Sequence, residues 1–327
     1  MKHFESERTS AESQNWRSSG REPYVFSVDR PQDLFGVHAH LIEAALRRNE
    51  GIRYLIYAPI WQGREAPFGI HASPASHGVA VTEDRFLISE DHHIREIAPT
   101  ILSIPFDQVL CVEVGSALIL GWLVIRFLEN DKLSCTSLLY SATTGGDHFN
   151  SAIREYRRII RPTYKLPSRR GLQWHEVYQH TPLVQGDRLR SLTVKGEYPV
   201  HMVRSSEFWG SKKRWWKTVP VSLAANATLI STNVGLTFAV EESAIRPNAF
   251  SFGVNISCIS FNAVKSAHLF EEKKDQEHLR FLRLGVGRNS VSVNFDIPFD
   301  EESYKATNNL VRYLMEEISS RGKECIS

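Results

Sequence analysis

Two stretches of the chain bring groups with chemical capacity together. Phe208 to Lys217, FWGSKKRWWK, interleaves the cations Lys212, Lys213, Arg214 and Lys217 with the rings of Trp209, Trp215 and Trp216. Cations beside stacking faces suit single-stranded nucleic acid, and tryptophan with cations also suits an anionic lipid interface. The plainer reading packs the tryptophans on their domain and leaves the lysines in water. The second stretch, Gly115 to Trp122, GSALILGW, gathers Leu118, Ile119, Leu120 and Trp122 between two glycines. Exposed apolar surface costs about 25 cal/mol per Å², so such a run needs a cover: the rest of the chain, a protein partner or second copy, or a membrane.

The histidines do not assemble into a metal site on paper. His175-Glu176-Val177-Tyr178-Gln179-His180 has one residue more than H-E-x-x-H, which turns the second imidazole about 100° further round a helix and away from the first. His71 with His77, and His92 with His93, have no cysteine or acid cluster beside them. No G-x-S-x-G, G-x-x-x-x-G-K-[ST] or strand-linked G-x-G-x-x-G occurs, and GVGRNS at Gly285 to Ser290 lacks its last glycine. The expectation is a protein without cofactor or metal. Enzyme activity could then come only from residues far apart in the chain.

Composition narrows the field further. A net charge of +2 over 327 residues asks for neither nucleic acid nor an anionic membrane, so either partner has to be argued from a local patch. Cys111, Cys135, Cys258 and Cys325 are scattered, which fits reduced thiols and a cytoplasmic setting. The run Val109 to Leu128 has the length of a spanning helix, but Glu113 and Arg126 bound its uncharged centre. Its glycines and β-branched residues fit two strands around a turn, so no transmembrane segment is expected.

The elements that would position these stretches come in two rounds. Ile104 to Val109, IPFDQV, returns as Ile259 to Val264, ISFNAV, and the same 155-residue offset carries Tyr140 onto Phe295 and Phe149 onto Tyr304. Residues 1–30, rich in Ser, Glu and Arg, read as a disordered tail. Residues 31–161 begin with a helix at Leu34 to Leu46, continue through strands near 53–58, 79–89, 100–104, 108–114, 118–127 and 133–140, and end in a helix capped by Asp147. Residues 162–182 form a connector that packs on one of the domains. Residues 183–327 repeat the strands and close with a helix capped by Asp300. Gly115 to Trp122 aligns in this register with the charged Phe270 to Glu277, FEEKKDQE.

The T-x-D-R turn of VAVTEDRFLIS, the IPFDQV strand entry, and LLYSATTGGDHFNSAIREYRR leading into a helix resemble the pleckstrin-homology superfold in its bacterial and GRAM-like forms. The resemblance covers roughly residues 45–161 and 183–320. It implies a mainly β chain with α: two tandem bent antiparallel sheets or barrels, each closed by a C-terminal helix. It also implies binding of proteins, peptides or lipid headgroups without catalysis. Ser231-Thr232-Asn233-Val234-Gly235 stands where the first unit has Thr82-Glu83-Asp84-Arg85-Phe86, so the arginine is lost. The expected function is a binding or scaffolding module acting through protein contacts or self-association, with a peripheral or anionic-lipid binder as the alternative.

Overall fold

A computed structural model of the chain describes residues 24–61, 63–93, 96–161, 171–214, 217–242, 253–274 and 277–324. The first half runs β1 (Phe26–Ser27), α1 (Val37–Ala45), β2 (Ile52–Ala58), the short pair β3 (Glu65–Ala66) and β4 (Ile70–His71), then β5 (Ser76–Thr82), β6 (Arg85–Asp91) and β7 (Thr100–Pro105). It continues as β8 (Val109–Ala117), β9 (Leu120–Glu129), β10 (Lys132–Ser141) and α2 (Ala142–Ile159). After α3 (Trp174–Gln179) the series restarts with α4 (Leu183–Leu192), β11 (Pro199–Ser205), the pair β12 (Phe208–Arg214) and β13 (Lys217–Ala224), β14 (Ala227–Thr232), β15 (Leu236–Glu241) and β16 (Gly253–Ile259). It ends with β17 (Val264–Lys274), β18 (Glu277–Arg288), β19 (Val291–Phe299) and α5 (Tyr304–Glu324). Ile104 in β7 and Ile259 in β16 thus hold the same step in each series.

The protein is mainly β, but none of its sheets closes into a barrel. The reason lies at β8. That strand pairs antiparallel with β16 of the other half, from Gly253 opposite Ala117 to Cys258 opposite Val112. A seven-stranded sheet in the order β10-β9-β8-β16-β15-β14-β11 results, flanked by the five-stranded β1-β2-β5-β6-β7 and the three-stranded β17-β18-β19. Gly115 permits the close approach, since a Cβ there would sit 2.4 Å from the Val254 carbonyl oxygen and from the Trp122 ring. The apolar residues of β8 divide between two cores: Val112 and Val114 join the first, Leu110 and Cys111 the second. From the other side of the junction, Val254, Ile256 and Cys258 of β16 enter the first core.

Several elements depart from the sequence reading. Val25 is buried and β1 pairs with β2, so ordered chain begins ahead of Pro31, while residues 1–23 lie outside the described residues. The helix expected from Leu34 is interrupted by Gly36 at φ +57 and starts as α1 at Val37. Helix α2 begins at Ala142, not beyond Asp147, because Gly145 lets the helix press on Tyr140, whose ring stacks on Phe149 at 4.0 Å. Packing here overrides the low helix propensity of two glycines. Helix α4 was not expected at all. It covers β15 and β16 with Leu189 and Leu192, as α1 covers β5 to β7 with Ile42.

The two halves anchor these covering helices with the same ion pair supplied from different places. In the first hairpin Thr82 Oγ1 accepts the amides of Asp84 and Arg85, and in the second Thr232 Oγ1 accepts those of Val234 and Gly235. Thr82 therefore matches Thr232 and not Ser231, and Arg85 matches Gly235. Arg85 donates to both Glu50 carboxylate oxygens, to Ser103 Oγ at 3.0 Å and to the Ala45 carbonyl at the end of α1 at 2.9 Å. With Gly235 in its place, the second half receives Arg157 from α2. That guanidinium donates to Glu197, to Thr237 Oγ1 at 3.1 Å and to the Leu192 carbonyl at the end of α4. Glu50 and Glu197 each stand five residues past their helix, so one role is filled within a half and the other across the junction.

Two outcomes follow from these pairs. Arg157→Met should strand the buried Glu197 carboxylate and lower the urea-unfolding free energy by about 3–5 kcal/mol, with Glu197→Gln recovering part of the loss in the double variant. The bonds from Arg85 hold the Glu50 carboxyl at about 2, below its usual 4.5. A folded-state value below the unfolded one adds stability that is complete above pH 4.5 and disappears as pH falls toward 2. The increment is about 3 kcal/mol at 1.36 kcal/mol per unit. Acid titration of Glu50→Gln should lack that part of the slope.

Candidate interaction surface

The β8–β9 hairpin turns on two residues, Leu118 and Ile119, between the paired Ala117 and Leu120. Both are apolar and open to solvent, Leu118 at 72% and Ile119 at 61% exposure. Leu118 also sits in the left-handed region at φ +53. That conformation brings Cβ against the following carbonyl and costs roughly 1–2 kcal/mol for an L-residue, less for Asn or Asp. The next hairpin follows that rule, turning on Asn130 and Asp131 at φ +51 and +57.

One other bulky residue breaks the rule. Phe68, at φ +66 and 39% exposed, lies with its ring centroid 5.8 Å from that of Trp122. The remaining described non-glycine residues with positive φ are Asn, Asp or His. Phe68 rests on Trp122 of a cluster that also holds Ile70, Val124 and Leu139, and Ala117 and Leu120, which bracket the Leu118–Ile119 turn, pack against the same cluster. With this cluster behind it, the exposed Leu118–Ile119 turn makes an apolar prow at the end of the β8–β9 hairpin.

The residues beneath the prow hold it stiffly. Trp122 is wholly buried and its Nε1 donates to Asn255 Oδ1 at 2.8 Å across the β8–β16 junction. Asn255 Nδ2 donates to Glu113 Oε2 at 3.1 Å, and Arg126 Nε donates to Glu113 Oε1 at 2.5 Å. Ile119 accepts the Ala142 amide at 2.7 Å, tying the turn to the start of α2. Of the four residues expected to meet a partner, Leu118 and Ile119 are therefore on the surface, Leu120 is half-buried, and Trp122 is a supporting member within the chain. Phe68 was missed, because its place beside Trp122 depends on a contact made 54 residues away in sequence.

The cationic stretch lies elsewhere, on the β12–β13 ribbon. Trp209 is half-buried opposite Ser222, and Lys212, Lys213 and Arg214 face Val219, Thr218 and Lys217 in the strand register. Trp215 and Trp216 lie outside the described residues.

A third assembly has the outline of a hydrolytic triad. Ser76 Oγ is 2.8 Å from His93 Nε2, and His93 Nδ1 is 3.5 Å from Asp91 Oδ2. Ser76 is only 1% exposed, however, and its oxygen also lies 2.9 Å from Nε2 of His38, whose Nδ1 meets Ser89 Oγ at 2.9 Å. No substrate reaches that hydroxyl, and the arrangement instead pins α1 to the sheet. Burial also holds His77 beside it neutral, with its pKa down to about 3, repulsion from His38 and His92 adding to the effect. Burial raises the thiol pKa values of Cys111, Cys135 and Cys258, the last to about 11, which keeps them from acting as thiolates. Among the described residues no cluster of three or more His, Cys, Asp or Glu could hold a metal ion, and no helix is long and apolar enough to cross a membrane.

Comparison of the chain with models of known protein families, with curated proteins and with solved structures finds no match in any of the three. The prow's own strain then offers the direct check on its character. Leu118→Asn keeps the backbone conformation, removes the steric cost and should raise the unfolding free energy by about 1 kcal/mol in urea titration. A leucine that stabilised the turn by packing would give a loss instead.

Proposed function

We propose that the chain is a non-enzymatic binding or scaffolding module of the cytoplasm, built from two pleckstrin-homology-like units and acting through protein contacts at the prow. The observation that carries this reading is the pairing of exposure with strain. Leu118 and Phe68 each keep a bulky apolar side chain where a small polar one would be both more soluble and less strained. Such outliers persist where the surrounding structure over-determines them, and they cluster at binding sites. The repeated order of four strands, three strands and a helix supports the superfold. The unpaired thiols of Cys111, Cys135 and Cys258 fit a reducing compartment.

The surroundings of the prow favour protein over anionic lipid. Glu241 and Glu242 stand at the neighbouring strand ends, with Glu241 opposite Val254 and the Glu242 amide bonded to Gly253. With Arg188 bonded to Ser116 beside them, these carboxylates leave the neighbourhood of the turn no net positive charge to attract an anionic membrane. The alternative lipid reading rests on the cations of the ribbon. Two experiments separate them. Leu118→Asn with Ile119→Ser should abolish site-specific photo-crosslinking from position 120 to a cellular protein, while the fold measured by circular dichroism stays intact. Flotation with phosphatidylserine vesicles should be negligible and unaffected by charge reversal at Lys212, Lys213 and Arg214. Flotation that depends on those charges would replace this reading with the lipid one.

A further inference from the structure

The internal junction is a strand-to-strand contact between unlike edges. The outer edge of β8, first strand of the second sheet in its half, receives β16, last strand of the four-stranded series in the other half. Each of these strands has a counterpart that lacks such a neighbour. β17 stands to the second half as β8 does to the first, and among the described residues it pairs with β18 alone. β7 stands to the first half as β16 does to the second, and among the described residues it ends its sheet, paired with β6 alone. One chain thus carries one vacant edge of each kind, the two that its own junction shows to be complementary.

We propose that copies of this chain associate head to tail, β7 of one copy adding to the free edge of β17 in the next. The 155-residue offset fixes the register. Ile256 opposite Val114 and Ser257 opposite Glu113 in the junction become Ile101 opposite Leu269 and Leu102 opposite His268 between copies. Faces match as well as edges. Ser257 and Leu102 both point toward the core of their own half, while Glu113 and His268 point away from theirs. At the internal junction the flanking helices also touch, α2 donating Arg154 and Arg157 to carbonyls at the end of α4.

The contact between copies is weaker than the internal one for a specific reason. Glu50 already has Arg85 as its partner, so the incoming copy needs no cation from its neighbour as Glu197 needs Arg157. Pro99 precedes β7 and Pro105 ends it, which limits pairing to the residues between them. Association should therefore be reversible and rise with concentration. An interface between unlike surfaces closes into a ring or extends as a filament, and does not form the two-fold dimer of a self-complementary patch.

The test uses the full chain with Cys135 and Cys325 replaced by serine. One preparation carries Leu102→Cys, the other His268→Cys. Mixed under mild oxidation, they should give a disulfide-linked pair that neither forms alone, and sedimentation of the unsubstituted chain should shift to larger species as concentration rises. A chain that stays monomeric and unlinked overturns the proposal, and so does linking that is as strong in either single preparation. The Leu118→Asn, Ile119→Ser variant should link normally, so failure of the prow reading and failure of this one are told apart.

Discussion

The pairing of β8 with β16 is the constraint from which the rest of the architecture descends. A strand that leaves its own half to complete another's sheet exposes both faces to different neighbours, so its side chains have to serve two cores. It also brings polar groups of both halves out of water together: Trp122, Asn255, Glu113 and Arg126 satisfy one another across the junction, and each would be costly to bury alone. Open sheets replace closed units because the edge that would close one is occupied by the other. The halves are consequently not independent beads on a string.

Arg157 shows how far this dependence reaches. In the first half the arginine that satisfies the carboxylate after the covering helix comes from the hairpin of the same half, as Arg85. In the second half that hairpin position is Gly235, whose Cβ would clash with the Ile259 carbonyl at 2.6 Å, so no side chain fits there. The guanidinium arrives from α2 instead and reaches the same set of partners: a carboxylate, a helix-end carbonyl and a hydroxyl on the neighbouring strand. A buried carboxylate without its cation is strongly unfavourable. The missing arginine in the second repeat is therefore a sign of where the first repeat has become indispensable to it.

This also marks what could be read from the chain beforehand. The strands from 100 to 140 and from 257 to 297 were legible because β-branched and aromatic residues alternate between clear turn signals such as ENDK, and the apolar run at Val109 to Leu128 resolves into β8 and β9 on the same grounds. Helix α4 was not legible, since Gly186 and the charges around it blur its stripe and only the seven-stranded sheet tells Leu189 and Leu192 which way is inward. Likewise the 155-residue offset was visible in IPFDQV and ISFNAV, whereas the five-residue change of register at Thr82 and Thr232 needed the hydrogen bonds of the two turns. Of the surface, the sequence pointed to Leu118 and Ile119 through their contrast with the charged second copy. It included Trp122 for its chemistry, although its indole is committed to Asn255, and it could not include Phe68.

Strain at an exposed turn would ordinarily relieve itself by fraying, because the ends of hairpins have little to lose. That route is closed at Leu118. The strands on either side are anchored within a few residues, Ser116 by Arg188 and Val254 on one side and Gly121 beneath the Tyr140 ring on the other, while the Ala142 amide holds the Ile119 carbonyl. The left-handed leucine is thereby presented at a fixed position and orientation, so its ordering entropy is met in folding and not again on contact. A flexible apolar tip of the same composition would offer the same area with less specificity. The rigidity comes from the β8–β16 junction, which makes the surface feature of the first half a product of its union with the second.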